Sequence, residues 1–277
     1  MSVVYYDGSI GKLNDITIPL SDRSIYFGDS VYDIAIGKKG KIYQAEEHIE
    51  RLLRGAGFLG FPAQYSFEEI FDILQEVATL ADCESYSVYF QLSRSTEKRV
   101  HSALGCKKVH FLIVIDEYTL PDQSTAKLTV IEDKRYSYCH IKTTNLLPAV
   151  LYSTDAEKRG FDEVVLHRGN TVTECAHSNI FMLRKGVLYT HPCTENILPG
   201  ITRQNLIFAA QKLSVPCVQR PFTLSELYRC DEAIITSTTR FARIVNSIDG
   251  VVPTGYDAEL CNLLCNELRT DYCKKMG

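Results

Sequence analysis

The stretch Cys139-His-Ile-Lys-Thr-Thr-Asn-Leu-Leu147 places a lysine among apolar neighbours, where a predicted strand or loop gives way to a helix predicted over residues 144–159. Burial of an ammonium group is costly unless the group is paired or neutral, because burial disfavours the charged form. An amine held in this way can act as a nucleophile near neutral pH. Most lone lysines instead pack only their stems and keep the charged head in water. The interpretation of Lys142 therefore depends on the rest of the chain.

Length and composition are typical of a globular protein with one large domain or two ordinary ones. The chain has 277 residues, of which 45% are hydrophobic and 23% charged, and its net charge is −4. This balance, without a basic block, argues against nucleic-acid binding. The sequence shows no signal peptide and no apolar stretch of about 18 residues, so we expect no membrane segment. The ten cysteines are scattered without a Cys-x-x-Cys pair, which supports no metal site and predicts reduced thiols in a cytoplasmic protein.

The order of predicted elements divides the chain into two domains. Residues 1–116 contain several strands and two helices, the second of which begins with a capping-box signal at Ser66 and Glu69. Strands and helices of this kind form a complete α+β domain. Residues 117–124 are short, polar and typical of an interdomain linker. Residues 125–277 form the second, larger domain, so we predict a two-domain protein of the α/β (α+β) class.

Three segments carry groups that can bind an anion. Ile201 and Thr202 follow Pro-Gly at the start of a predicted helix, where they would present unpaired N–H groups at its positive end. Ser237-Thr-Thr239 places hydroxyl groups at the end of a predicted strand. Arg51 adds a guanidinium on a predicted helix. Taken singly, these segments are equally typical of an ordinary helix start, a hydroxyl-rich turn and an arginine that pairs with Glu47.

An acid completes the set. Glu174 lies in a polar run that we predict as a loop before a strand, where a glutamate is usually solvated. Lys142, Glu174 and the anion-binding groups together match the needs of pyridoxal phosphate. This cofactor requires a lysine for imine formation, an acid for the pyridine nitrogen and donors for the phosphate. The conjunction is far more specific than any of its parts.

Six motifs occur in order between Tyr5 and Val252. They are Phe27-Gly-Asp-Ser-Val-Tyr-Asp33, Glu47-His-Ile-Glu-Arg-Leu52, the stretch around Lys142, Asn170-Thr-Val-Thr-Glu174, Leu198-Pro-Gly-Ile-Thr-Arg203 and Thr236-Ser-Thr-Thr239. Together they resemble the motifs of the class IV aminotransferases of fold type IV, most closely those of the bacterial D-amino-acid aminotransferases. The resemblance implies a small N-terminal α+β domain, a larger α/β barrel-like C-terminal domain, a cofactor between the two and a homodimer.

The resemblance also implies roles for individual residues. Lys142 would hold pyridoxal 5'-phosphate as a Schiff base and carry the substrate Cα proton, and Glu174 would pair with the pyridine nitrogen. The other cofactor-binding residues would be Arg51, Leu198, Ile201, Thr202, Ser237 and Thr238. Leu198 would pack against the cofactor ring, and the others would hold the phosphate.

Substrate preference is implied by Tyr32 and Arg99-Val-His101, which match residues that hold the substrate carboxylate in D-amino-acid aminotransferases. A phenol, an arginine fork and an imidazole can together bind a carboxylate. In the family the Arg-x-His loop reaches in from the partner subunit, whereas the alternative for Arg99 and His101 is a solvated loop. The implied reaction is transamination of D-amino acids such as D-alanine, with 2-oxoglutarate as acceptor.

The sequence departs from the family pattern in ways that bear on the substrate. Cys175-Ala-His177 replaces small, serine-like residues, Asp33 stands where a longer glutamate is common, and Arg240 could meet a second substrate carboxylate. Two alternatives of the same fold stay open, an aminodeoxychorismate lyase that forms 4-aminobenzoate and a branched-chain L-amino-acid aminotransferase. A scaffold protein with an inactive site is the non-enzymatic alternative.

Overall fold

The computed structural model describes residues 2–95 and 98–277, which divide into two compact units. The first unit consists of the described residues of Met1–Thr119, together with Ile141–Asn145 and Met276. The second unit consists of Leu120–His140, Leu146–Lys275 and Gly277. The segment that contains Lys142 therefore belongs to the first unit, although the chain on both sides of it belongs to the second. The division does not test the predicted domain bounds at 116 and 125, which stay predictions.

The first unit is an antiparallel sheet with two long helices. Its described elements are β1 (Val3–Tyr6), β2 (Ser9–Gly11), α1 (Arg23–Phe27), β3 (Ser30–Lys38), β4 (Lys41–Ile42), α2 (Ala45–Phe58), α3 (Phe67–Thr79), β5 (Ser85–Arg94) and β6 (Val109–Glu117). The strand order is β2-β1-β6-β5-β3-β4. Strand β3 pairs with β5 along its whole length, from Ser30 opposite Ser93 to Lys38 opposite Ser85.

The core of the first unit lies between the sheet and α2 and α3. Each helix buries apolar residues three or four positions apart, which gives it one apolar face. These residues are Ile49, Leu52 and Ala56 in α2 and Ile70, Leu74 and Val77 in α3. They pack in one cluster with strand residues such as Phe90 and Phe111. The arrangement fixes the orientation of α2, and hence which of its polar side chains face β3.

The second unit is built on a mixed sheet. Its elements are β7 (Thr125–Glu132), α4 (Leu147–Lys158), β8 (Glu163–Arg168), β9 (Thr171–Cys175), β10 (Asn179–Arg184), β11 (Val187–Thr190), α5 (Ile201–Lys212), β12 (Cys217–Gln219), β13 (Phe222–Thr223), α6 (Leu224–Leu227), β14 (Glu232–Ser237), β15 (Phe241–Ile248) and α7 (Ala258–Met276). The strand order is β12-β11-β10-β14-β15-β7-β8-β9-β13. The pairs β11–β12, β15–β7 and β7–β8 are parallel, and the remaining pairs are antiparallel. None of the described helices combines the length and apolar character needed to cross a membrane.

The α/β (α+β) class predicted from the sequence is confirmed, and so is the capping box. Ser66 Oγ accepts from the backbone N–H of Glu69, whose carboxylate accepts in turn from the N–H of Ser66. The helix predicted over about residues 144–159 is present, although it begins at Leu147. Thr143, shortly before it, pairs with Val31 of β3, and Pro148 lies in the first helical turn, where a proline is well tolerated. One local prediction is wrong. Glu174 lies in strand β9 and not in a loop.

Candidate active site

Backbone pairing between its own segment and β3 holds Lys142 in place. The N–H of Tyr32 donates to the carbonyl oxygen of Lys142 at 2.9 Å, and Thr143 forms an antiparallel bridge with Val31. The side chain of Lys142 is half-buried, and its Nζ lies 4.4 Å from the centroid of the Tyr32 ring. A cation at this distance from an aromatic ring is attracted by its π-electrons. The fold thus brings Lys142 into contact with Tyr32, the tyrosine predicted to bind substrate.

The turn after α1 fixes the other end of the lysine segment. Gly28 ends α1 in the left-handed conformation, with φ 57°. Its carbonyl accepts from Asn145 Nδ2 at 2.9 Å, and a Cβ at residue 28 would lie 2.8 Å from Asn145 Oδ1. Both the backbone conformation and the close contact therefore favour glycine. The hydroxyls of Ser30 and Thr144 also share a hydrogen bond. These contacts explain why the Phe27–Asp33 motif accompanies the lysine motif.

Asp33 is the centre of a buried charged cluster on β3 and α2. Arg51 donates to it twice, from Nε and from Nη2, both at 2.8 Å. His48 Nδ1 lies 2.7 Å from Asp33 Oδ1. Asp33, His48 and Arg51 are 0%, 1% and 6% exposed. His48 and Arg51 are three residues apart, so they lie on the same face of α2. Arg51, the predicted phosphate ligand, is therefore oriented by the carboxylate of Asp33, which accepts two hydrogen bonds along one edge of its guanidinium.

The charges in this cluster are well defined. Burial raises the pKa of Asp33, but the charge of Arg51 and the hydrogen bonds outweigh it, so the pKa of Asp33 lies well below its ordinary value. Burial lowers the pKa of His48, and the positive charges of Arg51 and Lys142 act in the same direction against the attraction of Asp33. We therefore assign an ionised Asp33 that accepts from the Nδ1–H of a neutral His48. Sequence reasoning missed His48, whose position in the Glu47–Leu52 motif is its only signal.

Glu174 is the buried carboxylate of the second unit. Its Oε1 accepts from Arg135 Nη1 at 2.7 Å. Its Oε2 accepts from Asn179 Nδ2 and from the backbone N–H of Leu198, both at 3.0 Å. Burial raises the pKa of Glu174 to about 7, although the charge of Arg135 lowers it. A carboxyl group with a pKa near neutrality is suited to sharing a proton with a basic ring nitrogen.

Arg135 is itself oriented by a second carboxylate. Its Nε and Nη2 donate to the two oxygens of Asp133 at 3.0 and 3.1 Å. Asp133 also accepts from Arg168 Nε at 3.1 Å. Burial raises the pKa of Asp133, but the hydrogen bond and the charge of Arg135 outweigh this effect, so the pKa of Asp133 lies below its ordinary value. The guanidinium of Arg135 is thus shared between Asp133 and Glu174. Sequence reasoning also missed Arg135, because an arginine in a polar loop carries no pattern.

Asn179 connects Glu174 with the start of α5. In addition to Glu174, its Nδ2 donates to the carbonyl oxygen of Leu198 at 2.9 Å. A Cβ at Gly200 would lie 2.1 Å from Asn179 Oδ1, so this close approach requires glycine. Within the described chain, α5 begins without a side-chain cap and without an acid in its first turn. The N–H groups at its positive end, where Ile201 and Thr202 lie, are therefore suited to an anion.

Strand β14 of the second unit also carries hydroxyl groups. Thr236 lies opposite Asn179 in the sheet, and Ser237 and Thr238 follow it, half-buried, at the end of the strand. The Oγ1 atom of Thr236 is buried and has no hydrogen-bond partner among the described residues. A buried hydroxyl is normally paired. The uncapped helix, the orphaned hydroxyl and the Glu174 acid together fit a phosphorylated pyridine that would satisfy all three.

The remaining predicted residues lie elsewhere in their units. Arg99 and His101 belong to the first unit and are exposed. Both pack against Phe27. The Cζ of Arg99 lies 5.2 Å from the centroid of the Phe27 ring, and the centroid of the His101 ring lies 5.3 Å from it. In the second unit, His177 Nε2 lies 3.0 Å from Glu163 Oε2, and Glu163 is buried. Arg240 is exposed. His177, expected to act on the substrate side, is thus engaged by a carboxylate.

Comparisons with known proteins decide the family. The family model "Amino-transferase class IV" matches residues 30–248. The D-alanine aminotransferase of Staphylococcus haemolyticus is 32% identical over 254 residues, which cover 90% of each chain. The chain belongs to amino-transferase class IV. Enzymes of this class depend on pyridoxal phosphate, and the chain is an aminotransferase by this membership.

Solved structures of class IV proteins share the fold. A branched-chain aminotransferase of the archaeon Thermoproteus uzoniensis, solved with norvaline, matches with a TM-score of 0.84 and 24% identity, over 96% of this chain and 95% of that one. A putative 4-amino-4-deoxychorismate lyase of Legionella pneumophila matches with a TM-score of 0.81 and 24% identity, over 90% and 93%. At these identities the likeness extends to the class IV fold alone, so these structures leave the substrate open.

The charge of Asp33 can be tested by substitution. Asp33→Asn would leave the buried guanidinium of Arg51 without its counter-ion, and removing one partner of a buried ion pair costs about 3 kcal/mol of unfolding free energy. We expect this loss in urea unfolding of the cofactor-free protein. Asp33→Glu is the matched control, because it keeps the charge and changes only the length. Equal losses for the two variants would show that space, and not charge, determines the role of Asp33.

The raised pKa of Glu174 predicts a specific pH dependence. Between about 4.5 and 7 the folded protein keeps a proton on Glu174 that the unfolded chain has released. The contribution of Glu174 to the unfolding free energy therefore falls as pH rises through this window and levels off above it. Glu174→Gln cannot titrate, so the stability of the cofactor-free variant should depend less on pH there. Glu132→Gln, at an exposed glutamate, serves as control, and identical curves for the wild type and Glu174→Gln would refute the assignment.

Proposed function

We propose that the protein binds pyridoxal 5'-phosphate through Lys142 and transaminates D-amino acids such as D-alanine, with 2-oxoglutarate as acceptor. The observation that carries the cofactor part is the buried Glu174, whose pKa of about 7 suits a partner of the pyridine nitrogen. The substrate part is supported by Tyr32, which lies beside Lys142, and by a relative named D-alanine aminotransferase. The proposal also includes a homodimer, as the resemblance implies, and a cytoplasmic location, which the ten free cysteines favour.

The residues of the second unit would hold the cofactor by complementary charge. Glu174 would hold a proton at the pyridine nitrogen, and Arg135 would keep the carboxylate of Glu174 in place. The N–H groups of Ile201 and Thr202, with Ser237 and Thr238, would donate to the phosphate at the positive end of α5. The side chain of Leu198 would pack against the ring, while its N–H keeps its bond to Glu174.

The residues of the first unit would supply the lysine and a positive charge. When bound, pyridoxal phosphate provides an electron sink for the electrons of the substrate Cα–H bond. The amine of Lys142 would take the proton from Cα as a general base and then donate it as a general acid to the cofactor carbon C4′, so that the amino group stays with the cofactor. The ring of Tyr32 lies 4.4 Å from this amine and would limit the positions that the Lys142 side chain can adopt. Arg51, oriented by Asp33, would add its guanidinium to the phosphate site.

The carboxylate of the substrate would be bound by Tyr32, Arg99 and His101. Arg99 and His101 belong to a loop that lies against Phe27 of α1. Two donors from an arginine fork fix the direction of a carboxylate, and so decide which face of Cα meets the proton carrier. A D-amino acid and an L-amino acid with the same bound carboxylate and amine present opposite sides of Cα. The carboxylate residues are therefore the ones that would determine stereochemical preference.

The role of Lys142 can be tested by covalent capture. After incubation with pyridoxal phosphate and reduction by borohydride, mass spectrometry should find the cofactor attached to Lys142. We expect Lys142→Ala to lose both this attachment and transamination, whereas Lys134→Ala, which removes an exposed lysine, should keep both. Cofactor bound to another lysine, or wild-type turnover by Lys142→Ala, would contradict the proposal.

The substrate class can be tested by a screen of half-reactions. The wild type should convert D-alanine and D-glutamate faster than L-leucine, and should not form 4-aminobenzoate from aminodeoxychorismate. We expect Arg99→Ala to raise the KM for D-alanine at least roughly 10-fold, because a hydrogen-bonded charge pair is lost. Lys107→Ala, at an exposed cation of the same loop, should leave KM unchanged. Preference for L-leucine would instead favour a branched-chain aminotransferase, and formation of 4-aminobenzoate a lyase.

A further inference from the structure

Arg23 is a buried cation on α1 that has no role in the proposed function. The residue is only 3% exposed. Its Nε donates to Asp29 Oδ2 at 2.6 Å, which compensates its charge. Its two terminal nitrogens donate to backbone carbonyls of the loop that carries Arg99 and His101. Nη1 donates to the oxygen of Val100 at 2.6 Å, and Nη2 to the oxygen of His101 at 2.9 Å.

The two carbonyls lie on either side of one α-carbon. The carbonyl of Val100 belongs to the peptide group before the Cα of His101, and the carbonyl of His101 belongs to the peptide group after it. Peptide groups are planar, so the two dihedral angles at this Cα determine how the planes are oriented. A rigid guanidinium that binds both carbonyls therefore restricts φ and ψ of His101. The direction of the His101 side chain follows from these angles.

Phe27 links Arg23 to the side chains of the same loop. The Cζ of Arg23 lies 4.6 Å from the centroid of the Phe27 ring, and the Cζ of Arg99 lies 5.2 Å from it. The ring of His101 is tilted against the same phenyl group. Arg23 thus binds the backbone of the loop directly, and it contacts the same phenyl ring as Arg99 and His101, the two side chains that would bind the carboxylate.

A second arginine uses the same carboxylate and provides a comparison. Arg94 Nε donates to Asp29 Oδ1 at 3.0 Å. Its Nη1 donates to the carbonyl oxygen of Leu59 at 2.9 Å, and its guanidinium lies over Phe61. Arg23 and Arg94 therefore share Asp29 as a counter-ion, but they bind carbonyls in different parts of the first unit.

We propose that Arg23 is a positioning residue for substrate binding. Its guanidinium holds the peptide groups on both sides of the His101 Cα and so orients Arg99 and His101 for the substrate carboxylate. The inference rests on the proposed carboxylate-binding role of Arg99 and His101. It predicts that Arg23 affects the affinity for amino acids and oxo acids, and not the affinity for the cofactor.

The proposal can be tested in the cofactor-loaded enzyme with Arg23→Lys and Arg94→Lys. Lysine keeps the charge beside Asp29, but its single ammonium cannot reproduce the planar fork. We expect Arg23→Lys to raise the KM for D-alanine and for 2-oxoglutarate roughly 10-fold, as when hydrogen bonds of a charged group are lost, with kcat changed far less. Arg94→Lys should leave both KM values near those of the wild type. Equal KM changes in the two variants, or a fall in kcat alone, would overturn the proposal.

Hydrogen exchange separates positioning from general destabilisation. In Arg23→Lys the amides of residues 99–105 should exchange faster, while those of α2 and β3 and the dissociation constant for pyridoxal phosphate stay unchanged. Faster exchange throughout the first unit would indicate a merely structural role and refute the inference. Arg99→Ala distinguishes the two proposals. If it raises KM and Arg23→Lys does not, only the role of Arg23 is wrong, whereas an unchanged KM in Arg99→Ala would refute the carboxylate site itself.

Discussion

The hydrogen bonds that join the segment Ile141–Asn145 to β3 are the constraint on which the candidate site depends. Residues Ile141–Asn145 belong to the first unit, where Thr143 and Lys142 pair with β3, and the chain on both sides of them belongs to the second unit. This arrangement places Lys142 against Tyr32 and close enough to His48 for its charge to lower the pKa of that histidine. A lysine on a free loop would have many orientations and would lose more conformational entropy on binding a cofactor. The pairing removes most of that freedom in advance.

The two buried carboxylates have opposite pKa shifts, although each is bound to an arginine. Asp33 receives both donors along one edge of Arg51 and a third from His48, and its pKa falls. Glu174 receives one donor of Arg135, which Asp133 also holds, and its pKa rises to about 7. The attraction of Arg51 thus outweighs burial at Asp33, whereas at Glu174 burial prevails, because Arg135 is shared with Asp133, whose negative charge also raises the pKa of Glu174. Asp33 is suited to holding a cation permanently, and Glu174 to holding a proton.

Sequence reasoning succeeded where a local pattern has a local cause. The capping box at Ser66, the apolar spacing in α2 and the helix that follows Pro199-Gly200 all depend on residues within one or two turns of each other. The buried partners of the site could not be found in this way, because Arg135 and Glu174 are 39 residues apart in the chain and only the sheet brings them together. Glu174 itself is predicted in a loop because its neighbours are polar, although it lies in strand β9. The β-branched run Thr171-Val-Thr173 was the signal that favoured the strand.

The departures from the family pattern are best understood through the groups they bind. His177 replaces a small residue, and its ring nitrogen is taken by Glu163, a buried carboxylate that also accepts from Ser178 Oγ and the N–H of Val164. A nitrogen bound in this way is not available to a substrate carboxylate, so His177 acts first on the local structure at the start of β8. Cys175 is buried in the apolar core of the second unit. Both residues are thus held by contacts within the second unit, and Tyr32, Arg99 and His101 remain the residues proposed to bind the substrate carboxylate.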